Sequence, residues 1–198
     1  MKKQVFINGK YLRALSLLSA KDDIRYYVNA VNLRFKTNSV IIEATDHLVV
    51  GALKIDLPEQ VGGENQFQPD DCCIIPIECL AKINPKVHYI ITQEDGIISI
   101  KSDGFCASEP EIQAIYPDIP KWFKDQCSKE IKPSNFDPEL LNRFRKVGKI
   151  LDSNNTPILI QRGMASVTVL FQQTPNFIGG ISPFWPLKEP TIPEWVFD

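Results

Sequence analysis

The side chains able to do covalent or metal chemistry are few and scattered. Five cysteines (Cys72, Cys73, Cys79, Cys106 and Cys127) stand at irregular spacings with no Cys-x-x-Cys pair, and the only histidines are His47 and His88. A zinc site needs a cluster of Cys and His ligands at recognisable spacing. These thiols read instead as buried free cysteines, which behave as small apolar side chains. Asp46 directly precedes His47, but neighbours on a strand point to opposite faces and cannot form a proton relay. Cys79 and His88 would make a nucleophile and base only within ~3 Å of one another, and nothing in the sequence brings them together. Gly62-Gly63 lacks the lysine and the spacing of a phosphate-binding loop. The expectation is a protein with no catalytic residues, no cofactor and no metal.

Binding chemistry remains, and charge carries it. The formal net charge of −2 divides into +4 for residues 1–57, −8 for residues 58–118 and +2 for residues 119–198. Such asymmetry lets one face meet nucleic acid while another avoids it. On a helical wheel of the stretch ending near Leu151, Arg145, Lys146 and Lys149 fall opposite Leu140, Phe144, Val147 and Leu151, with Arg143 at the border. An earlier helical stretch adds Arg13, flanked by Lys10 and Lys21, and a second offers Lys82 beside Glu78. A basic helix face is either simply solvated or set against phosphates, and the residues alone leave both readings open. No apolar run reaches the ~18 residues of a membrane span. The opening MKKQVFINGKYL has no apolar segment of signal length, so a cytoplasmic protein without membrane contact is expected.

Hydrophobic periodicity places these residues on three similar units. The first has a strand at 4–7, a helix over about 11–20 with Leu12, Ala14, Leu15 and Leu18 at helical spacing, and strands at 25–36, 39–44 and 48–57. A linker rich in Gly, Glu, Gln and Pro (58–71) leads to the second. There a strand at 72–75 precedes a helix from Pro76 to about Ile83, stopped by Asn84-Pro85. Strands at 87–92 and 96–101 follow across an Asp95-Gly96 turn, with a weaker one near 105–109. In the third unit Asn135 or Asp137 caps a helix with Pro138 near its first position, and strands follow at 157–161, 166–172 and 177–182. Single helices followed by runs of strands exclude a parallel sheet. The class is α+β, repeated strand-helix-three-strand units with antiparallel sheets and helices on one side.

Four segments then carry a resemblance. LRALSLLSAKDDIRYYVNAV (12–31) resembles the opening of the middle domain of the bacterial DNA polymerase III beta subunit, the sliding clamp. EATDHL (43–48) is similar to the family's A-T-D-G-H-R-L segment, without its Gly and Arg. IYPDIPKWF (115–123) resembles the segment leading from one clamp domain to the next. NFIGGISPFW (176–185) sits where the family ends in M-P-M-R, here Ser182-Pro183-Phe184-Trp185. The four stand in family order across nearly the whole chain. A bacterial clamp subunit has three domains of two units each, whereas this chain has room for three units. It resembles the short clamp-like proteins of phages and mobile elements. The implied division is a two-unit clamp-like domain (1–118), a third unit (119–185) and a Pro-rich tail (186–198).

The resemblance implies a DNA-clamp-like fold and a non-enzymatic role in DNA replication as a processivity factor. Duplex DNA would be encircled through phosphate contacts from inward-facing helices, drawn here from Arg143, Arg145, Lys146, Lys149 and Arg13. A hydrophobic cleft would capture short motifs of replication proteins. Its wall would be Thr45, His47, Leu48, Pro117, Trp122, Pro183 and Phe184. The odd unit would pair with its counterpart in a second copy, making a homo-oligomer. A clamp mimic that engages clamp loader, polymerase or host clamp without encircling DNA is the alternative. The tail PEWVFD (193–198) is a ligand for such a cleft or a strap on its own body.

Overall fold

The computed structural model describes residues 2–57, 67–127, 136–162 and 166–182. The tail and the proposed cleft residues Pro183 and Phe184 lie outside them. Strand β1 (Lys3–Asn8) buries Val5 and Ile7 and turns Phe6 outward, as alternation requires. The Asn8 side chain caps helix α1 (Gly9–Ser16) by accepting the Lys10 N–H at 2.9 Å. That helix buries Leu12, Ala14 and Leu15. Strands β2 (Ala30–Lys36), β3 (Ser39–Thr45) and β4 (Val49–Asp56) follow as hairpins. The strand expected from residue 25 starts five residues late. Asn29 exchanges side-chain bonds with the Asp23 backbone at 3.0 and 2.8 Å and holds Tyr26–Val28 in a single 3-10 turn.

In the second unit β5 (Cys72–Pro76) takes in Pro76, so α2 (Ile77–Leu80) is one turn long, shorter than the periodicity suggests. Strands β6 (His88–Glu94), β7 (Ile97–Ser102) and β8 (Phe105–Pro110) complete it. Asp95 and Gly96 both have positive φ, as the hairpin between β6 and β7 demands. The third unit holds α4 (Pro138–Leu151), capped by Asp137 through the Glu139 N–H at 2.8 Å, and strands β9 (Pro157–Arg162), β10 (Ser166–Phe171) and β11 (Phe177–Ile181). One element was not expected. Helix α3 (Ile119–Cys127) rises from the segment between the units, with Asp118 accepting the Lys121 N–H at 2.9 Å at its start.

All strand pairs are antiparallel, in two sheets ordered β1-β6-β7-β8 and β5-β2-β3-β4-β11-β10-β9. The first two units exchange their opening strands. The strand that starts unit one lies on β6 of unit two, and the strand that starts unit two lies on β2 of unit one. Each exchanged strand closes an edge that would otherwise expose backbone and core. The third unit joins differently, through β11 on β4, with Gly179 opposite Gly51 and Gly180 opposite Val50.

The glycines of that seam define its two faces. A Cβ on Gly179 would lie 2.3 Å from the Phe144 ring of α4, and one on Gly51 would lie 2.3 Å from Leu18, just after α1. A Cβ on Gly180 would lie 2.3 Å from the Trp122 ring of α3. Successive strand residues face opposite ways, so α1 and α4 share one face and α3 covers the other. Helices α1 and α4 also pack on each other, and α2 touches α1. Three helices thus form a layer behind the two sheets, and the unforeseen α3 lies outside that layer. No helix among the described residues is long and apolar enough to cross a membrane.

Candidate nucleic-acid and peptide interface

Helix α4 is amphipathic in the sense its sequence suggests. Leu140, Phe144, Val147 and Leu151 are buried, and Arg145, Lys146 and Lys149 are exposed along its other side. Pro138 at its start and Lys149 in its last turn suit the free N–H groups and the negative end of the helix dipole. Arg13 is half-buried on α1, the helix packed against α4.

Arg143 has a different role from the one its sequence position suggests. Its Nε donates to the Leu17 carbonyl at 2.8 Å, its Nη2 donates to the Ser19 carbonyl at 3.3 Å, and its Nη1 pairs with Asp46. Those carbonyls follow α1, where helix acceptors lack intrahelical partners. Asp46 in turn accepts the Leu48 and Val49 N–H groups at 2.9 and 2.8 Å. One guanidinium therefore ties α4, the end of α1 and the β3–β4 turn together. A group so engaged is a structural clip, and it is removed from the set facing solvent.

The cleft residues separate likewise. Thr45 is buried, its hydroxyl donating to the Val49 carbonyl at 2.7 Å and accepting the His47 N–H at 3.0 Å, so it builds the turn and offers no wall. His47 has φ of 73° and a buried Nε2 without a hydrogen-bond partner among the described residues. Burial lowers its pKa, followed by the Arg25 charge, while Asp23 and Asp46 act the other way. Leu48 is exposed, and Ser182, the last described residue, donates its N–H to the Leu48 carbonyl at 2.7 Å. Trp122 lies half-buried on Gly180, which pairs with Val50 at the same end of the seam. Leu48, Trp122 and Ser182 thus stand at the same end of the β4–β11 seam. Pro117 lines a different hollow.

No protein-family model and no curated protein matches the sequence. Solved structures do match. The DNA polymerase III subunit beta of Pseudomonas aeruginosa superposes with a TM-score of 0.64 at 14% identity, over 91% of this chain and 65% of that one. The Bacillus subtilis sliding clamp gives 0.65 at 12% identity over 92% and 64%, and the beta subunit of Thermotoga maritima gives 0.61 at 9% over 93% and 66%. The chain has the sliding-clamp fold. It spans about two-thirds of the length of those clamps.

On this clamp fold two further features escaped the sequence reading. The hollow at Pro117, about 460 Å³, has the buried Glu43 carboxylate at its base, held by Arg34 at 2.5 Å and by the Asn32 amide at 2.9 Å. Burial raises the pKa of the neighbouring Tyr116 phenol, whose hydroxyl donates to the Ala30 carbonyl at 3.3 Å. The Asn32 side-chain oxygen Oδ1 has no partner among the described residues. A second groove of about 580 Å³ runs between β1 and the end of β4, where the Phe6 and His88 rings stack at 5.1 Å beside Lys10 and Lys54. Period-two reading could have found Phe6, an aromatic on the outward side of a strand.

The expectation of buried thiols holds for Cys73 and Cys79 and fails for Cys72 and Cys106, which are exposed. Burial pushes Cys79 up to about 11 and raises Cys73 and Cys72 as well, away from the reactive thiolate. Among the described residues no three His, Cys, Asp or Glu side chains gather as a metal site.

Proposed function

We propose that the chain is a non-enzymatic clamp-like protein of DNA replication, holding duplex DNA along its helical layer and partner peptides at the outer end of the β4–β11 seam. The observation that carries the reading is the α4 face. Arg145, Lys146 and Lys149 are exposed on the clamp fold's helical side, and Arg13 belongs to α1, which packs against α4. Contacts of this kind are to phosphates, sequence-independent and weak, as a protein that tracks along a duplex requires. The peptide-binding part rests on Leu48 and Trp122, large apolar side chains at the end of the seam where β4 begins and β11 ends.

Duplex binding measured against salt concentration tests this. The expectation is affinity that falls linearly in a log–log plot, with the slope reduced by about one for each of Arg145, Lys146 and Lys149 replaced by Ala. Binding that is absent, or indifferent to both salt and these substitutions, would remove the DNA-holding role. The clamp mimic would then be the better reading. It draws support from the acidic side chains Glu94, Asp95, Asp103 and Glu109 on the strands and turns of the second unit, which disfavour a phosphate backbone there.

A further inference from the structure

The four-stranded sheet leaves an aromatic platform bare on its outer face. Val5 and Ile7 of β1 are buried, while Phe6 between them is 57% exposed. Ile90 stands directly opposite Phe6 on β6 and is 43% exposed, and the exposed Lys101 stands opposite Ile90 on β7. His88 lies diagonally across from Phe6, its ring parallel to the phenyl ring within 6° at a centroid distance of 5.1 Å. Asn8 Nδ2 stands 3.2 Å from His88 Nε2 and fixes the imidazole in that stack. Large apolar side chains set side by side on a surface, rather than scattered singly, mark a place that meets another molecule.

Charge beside the platform narrows what that molecule is. Phe6 and His88 also line the groove of about 580 Å³ between β1 and the end of β4, together with Lys10 and Lys54. The Lys10 ammonium lies 4.9 Å from the Tyr11 ring, and the Lys54 ammonium lies 3.9 Å from the Asp56 carboxylate, a pair exposed on both sides and weakly held. Neither ammonium is buried in a network, so an outside anion can recruit both. Flat rings open to solvent beside lysines suit a nucleic-acid strand with unpaired bases, whose bases stack on the rings while its phosphates meet the ammonium groups. A duplex keeps its base faces inside its own stack, and an apolar peptide would leave the lysines unmatched. A single nucleotide would cover one ring, whereas Phe6, Ile90 and Lys101 extend across three strands, roughly 10 Å.

We propose that this surface is a second nucleic-acid site, built from other residues than the α4 row, and that it takes single-stranded DNA. Phe6 supplies the stacking face, His88 backs it and Ile90 continues it, while Lys10, Lys54 and Lys101 meet phosphates. Binding there is indifferent to sequence, because every base has a face to stack. The choice of DNA over RNA rests on the replication reading; the use of an unpaired strand rests on the platform itself.

Fluorescence anisotropy of the full chain with a labelled oligothymidylate of about twelve nucleotides tests it. Phe6→Ala should weaken binding roughly tenfold and leave the circular dichroism spectrum unchanged. Phe6→Trp should keep the affinity, and its added emission should be quenched by the oligomer. Replacing Lys10 and Lys54 by Ala should lower the salt dependence. Replacing Arg145, Lys146 and Lys149 by Ala should leave oligothymidylate binding within about twofold of the parent chain. No binding, or binding that ignores Phe6→Ala, would overturn the proposal. So would a loss that follows the α4 substitutions, which would place the strand on the helical face. Thymidine monophosphate bound as tightly as the oligomer would make the groove a nucleotide pocket, and oligouridylate bound more tightly than oligothymidylate would make it an RNA site; either result overturns it. Duplex binding through α4 without oligothymidylate binding would sink this site and leave the first reading standing. Oligothymidylate binding that needs Phe6, without duplex binding, would do the reverse.

Discussion

Gly179 and Gly180 are neighbours in β11, yet each admits an aromatic ring on an opposite face, and the two rings differ in how they are held. Phe144, over Gly179, is fully buried between α4 and the sheet, and the Phe177 ring stands 6.2 Å from it, edge-on. Trp122, over Gly180, is half-buried and belongs to a helix that crosses the outer face alone. The helical face of the seam is therefore one continuous core shared by the first and third units. The outer face is a core with a cover, and the cover's outer side meets solvent.

Phe144→Ala should show the largest effect, about 3–5 kcal/mol lost from stability, because a fully buried ring is removed and the seam cannot collapse around the space. Denaturant unfolding measures it. The glycine pair sharpens the comparison. Gly179→Ala should cost about 1–3 kcal/mol, since the Phe144 ring has no room to retreat. Gly180→Ala should cost below about 1 kcal/mol and shift Trp122 outward, visible as a red-shifted tryptophan emission. Equal costs at the two positions would mean that the outer cover is as rigid as the core, and the distinction between the faces would fall.

Much of this could be read before any coordinates, and the reasons are local. Asp137-Pro138 announces α4, Asp95-Gly96 announces a hairpin, and the 3.6-residue spacing of Leu140, Phe144, Val147 and Leu151 separates the buried side of α4 from the basic one. Each of those signals lies within a few residues of what it specifies. The Asn29–Asp23 clasp was missed because an alternating apolar pattern looks the same whether or not a side chain closes a turn ahead of it. Helix α3 is hidden in the sequence because its segment resembles a connection between domains. The role of Arg143 was not legible at all, since Asp46 stands 97 residues away and only the β4–β11 seam brings them together. Gly179-Gly180 did carry a signal: glycine inside a strand often marks close approach of another group.

The Arg143 clip has an effect of the same size as Gly179→Ala. Asp46→Ala removes the carboxylate that pairs with Arg143 and accepts two turn amides, and should cost about 2 kcal/mol. Arg143→Ala should cost a similar amount and the double variant little more, because both disrupt one contact. A double variant whose loss equals the sum of the single losses would show that the two residues act separately. Neither change alters Arg145, Lys146 or Lys149, so duplex affinity of the folded variants should stay close to that of the parent chain.

The smallest effect lies one residue further on, at His47, and is set by pH. The ring's buried Nε2 has no hydrogen-bond partner among the described residues, and burial, followed by the nearby Arg25 charge, holds its pKa below the ordinary 6.5. A depressed folded-state value means that, between the two pKa values, the unfolded chain binds the proton and the folded chain does not. Stability then rises with pH across that interval. The neutral ring's full contribution is present above about 6.5 and is lost as pH falls toward the folded-state value. Urea unfolding between pH 7.5 and 5.5 should show this decline, and His47→Gln should flatten it. The carboxylates Asp23, Asp70 and Asp71 also have lowered pKa values, through Arg25, Lys36 and Lys3 respectively, but they act in a separate window below their ordinary 3.8. A slope above pH 5.5 that survives His47→Gln would assign the titration to another group. A slope that vanishes would make the β3–β4 turn the part of the seam most sensitive to mild acid, on the side where Ser182 and Leu48 meet and away from the Phe144 core.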